Sequence, residues 1–372
     1  MTRVALLGAG NGGCAAAADL TKRGFDVALY SRSAERLAPI KAAGGLHYTG
    51  VIGEGFAPLS TVTTELAEAV QGADRVVILT PAVAHRFLAE QLAGLLPENG
   101  SVWLNPGSTG GALHVANIFR QHGRSDIAVA ETATLTYACR MRAPDTVWIK
   151  NEVTNLPFAT FPARRQEELL ACYRVLYPNL RPAPNVLTTS LMNLNAIIHP
   201  PGVIMNAGWI EYTEGDFKFY YHGITPAVAN VLEAIDAERM AIAGAFEERL
   251  GRDLEVMRCI DFFYQANYTT REAWETGSMY QALQAAIPNR PTQAPSSLKD
   301  RYMVEDVPFG LAPMAGLADW AGVEVPNMRC LVGLASALTG EDYFTQGLGR
   351  EEMGLDQVPI TALVDFLESG YG

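Results

Sequence analysis

Residues 3–20 read RVALLGAGNGGCAAAADL. A short apolar run ends in Gly8, and an alanine-rich stretch follows through Leu20, whose small side chains suit a helix packed closely on a sheet. Between the two, Gly8, Gly10 and Gly13 spell GxGxxG within GAGNGG. That spacing supplies a tight turn, a close backbone approach to a pyrophosphate, and close packing of helix on strand. A helix N-terminus offers free N–H groups to phosphate at the same place. Gly8, Gly10, Asn11 and Gly13 are therefore the candidate dinucleotide-binding residues.

Working outward, apolar runs recur at Val27–Tyr30, Arg75–Leu79, Ser101–Leu104 and Ile127–Ala130, with helical or mixed segments between them. Strand alternating with helix implies a parallel, doubly wound sheet. The pattern changes after Pro184. From Leu187 onward most segments read as helices, notably Thr225–Leu250 and the charged stretch around Arg271, Glu272 and Glu275. The reading is an α/β Rossmann-type domain over 1–184 and an all-α domain over 185–372, joined through the proline-rich RPAPN near 182–188. At 372 residues the chain exceeds one ordinary hydrophobic core, which also suits two domains with a cleft between them.

The end of the second strand bears on the cofactor. An NAD enzyme usually places a carboxylate there for the ribose hydroxyls. Here the run is Tyr30-Ser31-Arg32-Ser33. A serine and an arginine would bind a 2′-phosphate through charge-assisted bonds, with the guanidinium stacking on adenine. Ser31 and Arg32 therefore favour NADP(H), while NAD(H) held through backbone contacts stays open, with Arg32 then a solvated loop residue. Thr80-Pro81 and the loop Asn105–Gly111 follow later strands and belong at the cofactor side, the latter as a wall for nicotinamide and substrate or as a plain turn.

Composition excludes several classes. With 49% hydrophobic and 18% charged residues and no long uninterrupted apolar window, the chain reads as a globular protein outside the membrane. A formal charge of −12 argues against nucleic-acid or anionic-membrane partners. Cys14, Cys139, Cys172, Cys259 and Cys330 form neither a CxxC motif nor a Cys/His cluster, so no disulfide framework and no metal site is expected. The start, MTRVALLGAGNGG, shows no export signal, and a cytoplasmic location is expected.

GAGNGG at 8–13, LNPGSTGGAL at 104–113, ETATLTYACR at 131–140, NLNAIIHP at 193–200, GITPAV at 223–228 and RYMVEDVPFGL at 301–311 stand in one order along the chain. Together they resemble the opine dehydrogenase family of octopine and nopaline dehydrogenases. The resemblance covers nearly the whole sequence and implies a Rossmann domain followed by a helical one. It also implies a reaction: an amino acid condenses with a 2-oxo acid, often pyruvate, and the imine is reduced with NADH or NADPH. On the matching motifs, the family's catalytic histidine and aspartate fall on His199 and Asp306, and its carboxylate-binding arginine on Arg301. At Ser31 the chain departs from NAD-using relatives, which carry an acid there.

The residue chemistry suits those roles. Imidazole exchanges protons near neutrality and is fixed in tautomer by a carboxylate, while a guanidinium grips a carboxylate through two parallel bonds. Arg301 and Glu305 could instead form an ordinary i,i+4 ion pair, and Asp306 is preferred to Glu305 on motif position only. Asn195, one helical turn before His199, and Thr132, at a strand end, are further substrate-contact candidates or structural polar groups. His47, His85, His114, His122 and His222 read as loop or surface residues. Thr276–Lys299 is partly loop-like and suits either a lid or an inert connection.

Two rivals remain. Dehydrogenases of a hydroxy acid or polyol phosphate commonly use a catalytic lysine, and none of Lys22, Lys41, Lys150, Lys218 and Lys299 lies in an evident cofactor-facing motif. A non-catalytic NADP-binding sensor would not need His199, Arg301 and Asp306. The expected partners are small molecules, with apolar helix faces leaving room for a homodimer.

Overall fold

The computed structural model describes residues 1–371, and for Pro288 the backbone alone. Contacts divide it into two compact units, Met1–Gly107 with Gly111–Pro182 and Phe366–Gly372, and Ser108–Gly110 with Ala183–Asp365. No helix among the described residues is long and apolar enough to cross a membrane.

In the first unit the strands are β1 Arg3–Leu7, β2 Asp26–Tyr30, β3 Gly45–Gly50, β4 Gly55–Pro58, β5 Thr61–Thr63 and β6 Arg75–Ile78. They continue as β7 Ser101–Leu104, β8 Ala128–Thr132, β9 Tyr137–Ala143, β10 Thr146–Glu152, β11 Leu156–Phe161 and β12 Leu180–Pro182. Eight of these form one sheet in the order β12-β11-β8-β7-β6-β1-β2-β5. Val4, Ala5, Leu6 and Leu7 are fully buried, as expected of a central parallel strand covered on both faces. β1 pairs in parallel with both β2 and β6, so the order reverses there and a crevice opens at the strand's carboxyl end.

One edge departs from the all-parallel expectation. β11 pairs antiparallel with β8, because the chain returns through the hairpin β9–β10 and not through a helical crossover. β9, β10, β3 and β4 form a second, four-stranded sheet, which the sequence pattern did not suggest. β3 and β4 and the turn between them are punctuated by Gly45, Gly50, Gly53 and Gly55, which blurs their alternation, whereas β9 and β10 contain no glycine. The sheet is tied to the helix Asn11–Lys22, where the buried Asp19 accepts from Tyr137 Oη (2.7 Å) and Asn11 Oδ1 accepts from Met141 N (2.8 Å).

His85 and His114 correct the reading of them as loop or surface residues. Both are buried, on the helices His85–Leu92 and Gly111–Gln121.

The second unit is helical. Its longest helix, Pro226–Leu250, starts at the cap Thr225, whose hydroxyl accepts from Val228 N, and ends at Gly251 with φ 62°. Inside it Arg239 is fully buried; its guanidinium donates to Asp236 Oδ1 and to the Leu191 and Met257 carbonyls. The stretch Thr276–Lys299 contains the helix Met279–Ala285. Two π-helical turns, Phe219–Gly223 and Val307–Leu311, interrupt the α-helical regularity. Such turns are rare and frequently mark functional sites.

Candidate active site

The glycine turn has the geometry that its spacing predicts. Gly8 lies at φ +129°, and a Cβ there would stand 2.6 Å from the Leu79 carbonyl oxygen. A Cβ on Gly13 would fall 1.7 Å from the Gly8 oxygen, so the helix can approach the turn only without a side chain. Nothing lies within 4 Å of a Cβ on Gly10, which leaves the space a pyrophosphate needs. Asn11 begins the helix, and its side chain holds Met141. Beside the turn, the Thr80 hydroxyl is buried and has no hydrogen-bond partner among the described residues, followed by the exposed Pro81. An open cradle with an orphaned buried hydroxyl fits a dinucleotide.

At the end of β2, Ser31 Oγ accepts from Ser33 N (3.2 Å), and Ser33 Oγ caps the next helix through Arg36 N (3.2 Å). Arg32 is exposed, its guanidinium 4.9 Å from the Phe87 ring centroid. Ala9, Ser33, Glu35, Arg36 and Arg142 help to line a groove of about 540 Å³. Pattern reading missed Arg36 and Arg142. The first stands one helical turn past Arg32, which spacing alone could have flagged; the second arrives on the unexpected hairpin.

Of the other strand-end candidates, Thr132 is fully buried and its hydroxyl donates to Asn105 Oδ1 (3.4 Å), within a network that also holds Thr136. It serves the interior and does not face open space. Thr109 is equally engaged, with Ser190, Asn193 and Phe309.

The helical unit assembles the second cluster. His199 lies on the helix Leu194–Ile204, and its Nδ1 is 2.8 Å from Asp306 Oδ2 across 107 residues of chain. Asp306 immediately precedes the π turn Val307–Leu311, and a Cβ on Gly310 of that turn would come 2.7 Å from Ala196 Cβ. Glycine thus lets the turn sit against the histidine helix. Gly202 does the same for the other π turn, since a Cβ there would meet Phe219 at 2.6 Å. From that turn Tyr220 Oη reaches His199 Nε2 at 2.8 Å. Tyr302 stacks on the imidazole, with centroids 3.7 Å apart and planes at 14°. His199 is 4% exposed and Asp306 4%.

Arg301 opens the short helix Arg301–Val304 and is exposed, although protein atoms crowd its guanidinium. Among the described residues it makes no ion pair, with Glu305 or any other acid. Crowding draws its pKa down, but the fields of Asp306 and Glu305, with Tyr302 and Tyr220, outweigh this and the net shift is upward. A fixed cation beside the histidine, with unused donors, is suited to an anionic ligand. Asn195 is half-buried one turn before His199, and its amide makes no hydrogen bond among the described residues. Structure thus brings His199, Asp306 and Arg301 together and adds Tyr220 and Tyr302. Tyr302 sits inside the RYMVED motif; Tyr220 lies in FKFYYHG, where two adjacent tyrosines gave no basis for choosing one.

Residues 182–339 match the family model described as NAD/NADP octopine/nopaline dehydrogenase, alpha-helical domain. Residues 3–102 match that of NADP oxidoreductase, coenzyme F420-dependent. The chain is 34% identical over 364 residues to an opine dehydrogenase of Arthrobacter sp. (strain 1C), covering 98% of each. Its fold is similar to that of octopine dehydrogenase solved with NADH and L-arginine (TM-score 0.78, 21% identity, 100% and 99% of the two chains). It is also similar to that of yersinopine dehydrogenase with NADP+ bound (TM-score 0.74, 17% identity, 99% and 98%). The chain belongs to the opine dehydrogenase family.

Proposed function

We propose that this enzyme catalyses the NAD(P)H-dependent reductive condensation of an amino acid with a 2-oxo acid, and the reverse oxidation. The observation that carries the reading is the His199–Asp306 pair at 2.8 Å with Arg301, which makes no ion pair among the described residues, in the field of Asp306. Condensation first requires a proton to leave the substrate ammonium and later requires one to reach the departing oxygen. An imidazole whose Nδ1–H is held by a carboxylate can do both through Nε2. Arg301 would hold the carboxylate of the oxo acid, and Asn195 would contact substrate from the next turn. Bound NAD(P)H supplies the hydride that reduces the C=N bond.

Gly8, Gly10, Asn11 and Gly13, with Thr80 and Pro81, are suited to hold the dinucleotide. Ser31, Arg32, Arg36 and Arg142 favour NADP(H) over NAD(H): no carboxylate stands at positions 31–33 to repel a 2′-phosphate, and Glu35, which lines the neighbouring groove, faces two arginines there. We assign cofactor binding to 1–184 and substrate chemistry to 185–372. Free cysteines throughout suit a cytoplasmic enzyme.

The test is to incubate the protein with NADPH, pyruvate and a panel of amino acids, following reduced-cofactor absorbance. Oxidation that requires both organic substrates is expected. Tight NADPH binding without oxidation for any pair of amino and oxo acids would favour a sensor instead.

A further inference from the structure

Both ring nitrogens of His199 are already in hydrogen bonds, with Asp306 Oδ2 and with Tyr220 Oη, each at 2.8 Å. With Nδ1–H donated to the Asp306 carboxylate, which only accepts, Nε2 is the nitrogen left to accept from the Tyr220 hydroxyl. One ring face is covered by Tyr302, and the edge of Phe219 closes in at 6.1 Å between centroids. The basic nitrogen is therefore buried behind a phenol, whereas Tyr220 itself is only half-buried.

Tyr220 is also held in place. Phe219 N donates to the Thr292 carbonyl (2.9 Å), the Gly223 carbonyl accepts from Asn206 Nδ2 (2.9 Å), and Phe219 is fully buried against Gly202. Backbone pinned on both sides suits a fixed relay better than a gate that must swing away.

We propose that Tyr220 is a catalytic residue that stands between substrate and His199 and carries the proton in each direction. The inference rests on the activity proposed above. In the forward step an N–H bond of the substrate ammonium breaks and its proton joins the Tyr220 oxygen. The phenol's own O–H breaks as its proton bonds to Nε2, giving an imidazolium opposite Asp306. The freed amine attacks the carbonyl carbon of the oxo acid. The resulting alkoxide takes one proton from its own nitrogen and a second from Tyr220, which is refilled from Nε2; the C–O bond breaks and water leaves. The proton taken is the proton returned, so Tyr220 and His199 finish as they began. The C=N carbon is then the position to which bound NAD(P)H would supply the hydride.

The test compares Tyr220→Phe with the wild-type full chain in single-turnover reactions with NADPH, an oxo acid and an amino acid that the wild type accepts. A single-turnover rate lower by at least about 100-fold is expected, the contribution typical of a lost acid–base group. NADPH affinity and the KM for the oxo acid should stay within about threefold, since Phe keeps the ring packing. In mixtures of H2O and D2O the wild-type rate should follow a bowed dependence, from two protons moving together. A linear wild-type dependence would overturn the relay even if Tyr220→Phe failed to fold. A variant as fast as or faster than wild type would overturn it too, and would make the phenol a plug. No turnover by the wild type with any pair would instead overturn the activity, and the relay with it.

Discussion

The glycine turn of the first unit and the histidine cluster of the second are built by opposite means. Gly8, Gly10 and Gly13 act by lacking a side chain: two would clash with backbone oxygens at 2.6 and 1.7 Å, and the third leaves open space. The proposed proton site depends instead on side chains: His199, Tyr220 and the pair Arg301 and Asp306 come from three segments, with Tyr220 in one π turn and Asp306 just before the other. A cofactor shared by many enzymes can be held by backbone geometry, which is local. Proton transfer needs particular atoms at 2.8 Å, and a tertiary fold must converge on them. Glycine still contributes in the second unit, but as a spacer: Gly310 and Gly202 let the two turns reach the histidine helix.

A matched pair of substitutions would break or sharpen this contrast, and should give the largest effects. Gly13→Ala places a methyl group 1.7 Å from a backbone oxygen that cannot yield easily, so it should cost at least about 3 kcal/mol, the top of the usual overpacking range, and abolish NADPH binding. Gly310→Ala meets Ala196 Cβ at 2.7 Å and should cost about 1–3 kcal/mol. Here turnover should fall while NADPH affinity holds, because the strain falls between Asp306 and His199. Titrating NADPH by fluorescence alongside activity checks both, and loss of NADPH binding in Gly310→Ala would dissolve the distinction.

A smaller effect separates the units by acid. Burial pushes His85 down to about 4, offset in part by its bond to the Thr80 backbone. Burial likewise pushes His114 to about 3, aided by the neighbouring His85 and Arg86. Their folded pKa values lie below the unfolded value of roughly 6.5, so the unfolded chain binds more protons as pH falls. The stability they contribute is complete above about pH 6.5 and is lost toward pH 4 and then 3. Each should lower the folded-to-unfolded ratio by up to about tenfold per pH unit in that window. Urea unfolding at pH 7 and 5 should show the loss, reduced in a His85→Gln, His114→Asn variant. An identical pH dependence in the variant would remove these histidines from the account.

The smallest shift concerns the cofactor. Ser31→Asp with Arg32→Ala should swing the NADPH/NADH preference toward NADH by about tenfold, the worth of one charge-assisted contact. An unaltered ratio would leave the choice to Arg36 and Arg142.

The same contrast explains what could be read from sequence. The turn was legible because strand, glycines and helix are contiguous, and so were the central strands, which are uniformly apolar. His199 and Asp306 were named through motif order, since nothing in their local sequences says that they meet. Tyr220 was not named because its role depends on where a π turn points it. The β3–β4 half of the small sheet escaped notice because glycines interrupt it, and β11 reversed direction because the hairpin β9–β10 replaced a helix. His114 was misplaced although it sits in GALHVANIF, a stretch apolar enough to have signalled a helix buried nearly all round.

Division of labour between a backbone-built cofactor site and a side-chain-built proton site is tested most directly in His199→Ala, by measuring turnover and NADPH affinity on the same preparation. Turnover should fall by about 100- to 10,000-fold, the span of acid–base contributions, with NADPH affinity within about twofold of wild type. Turnover within a few-fold of wild type, or a parallel loss of NADPH affinity, would contradict it.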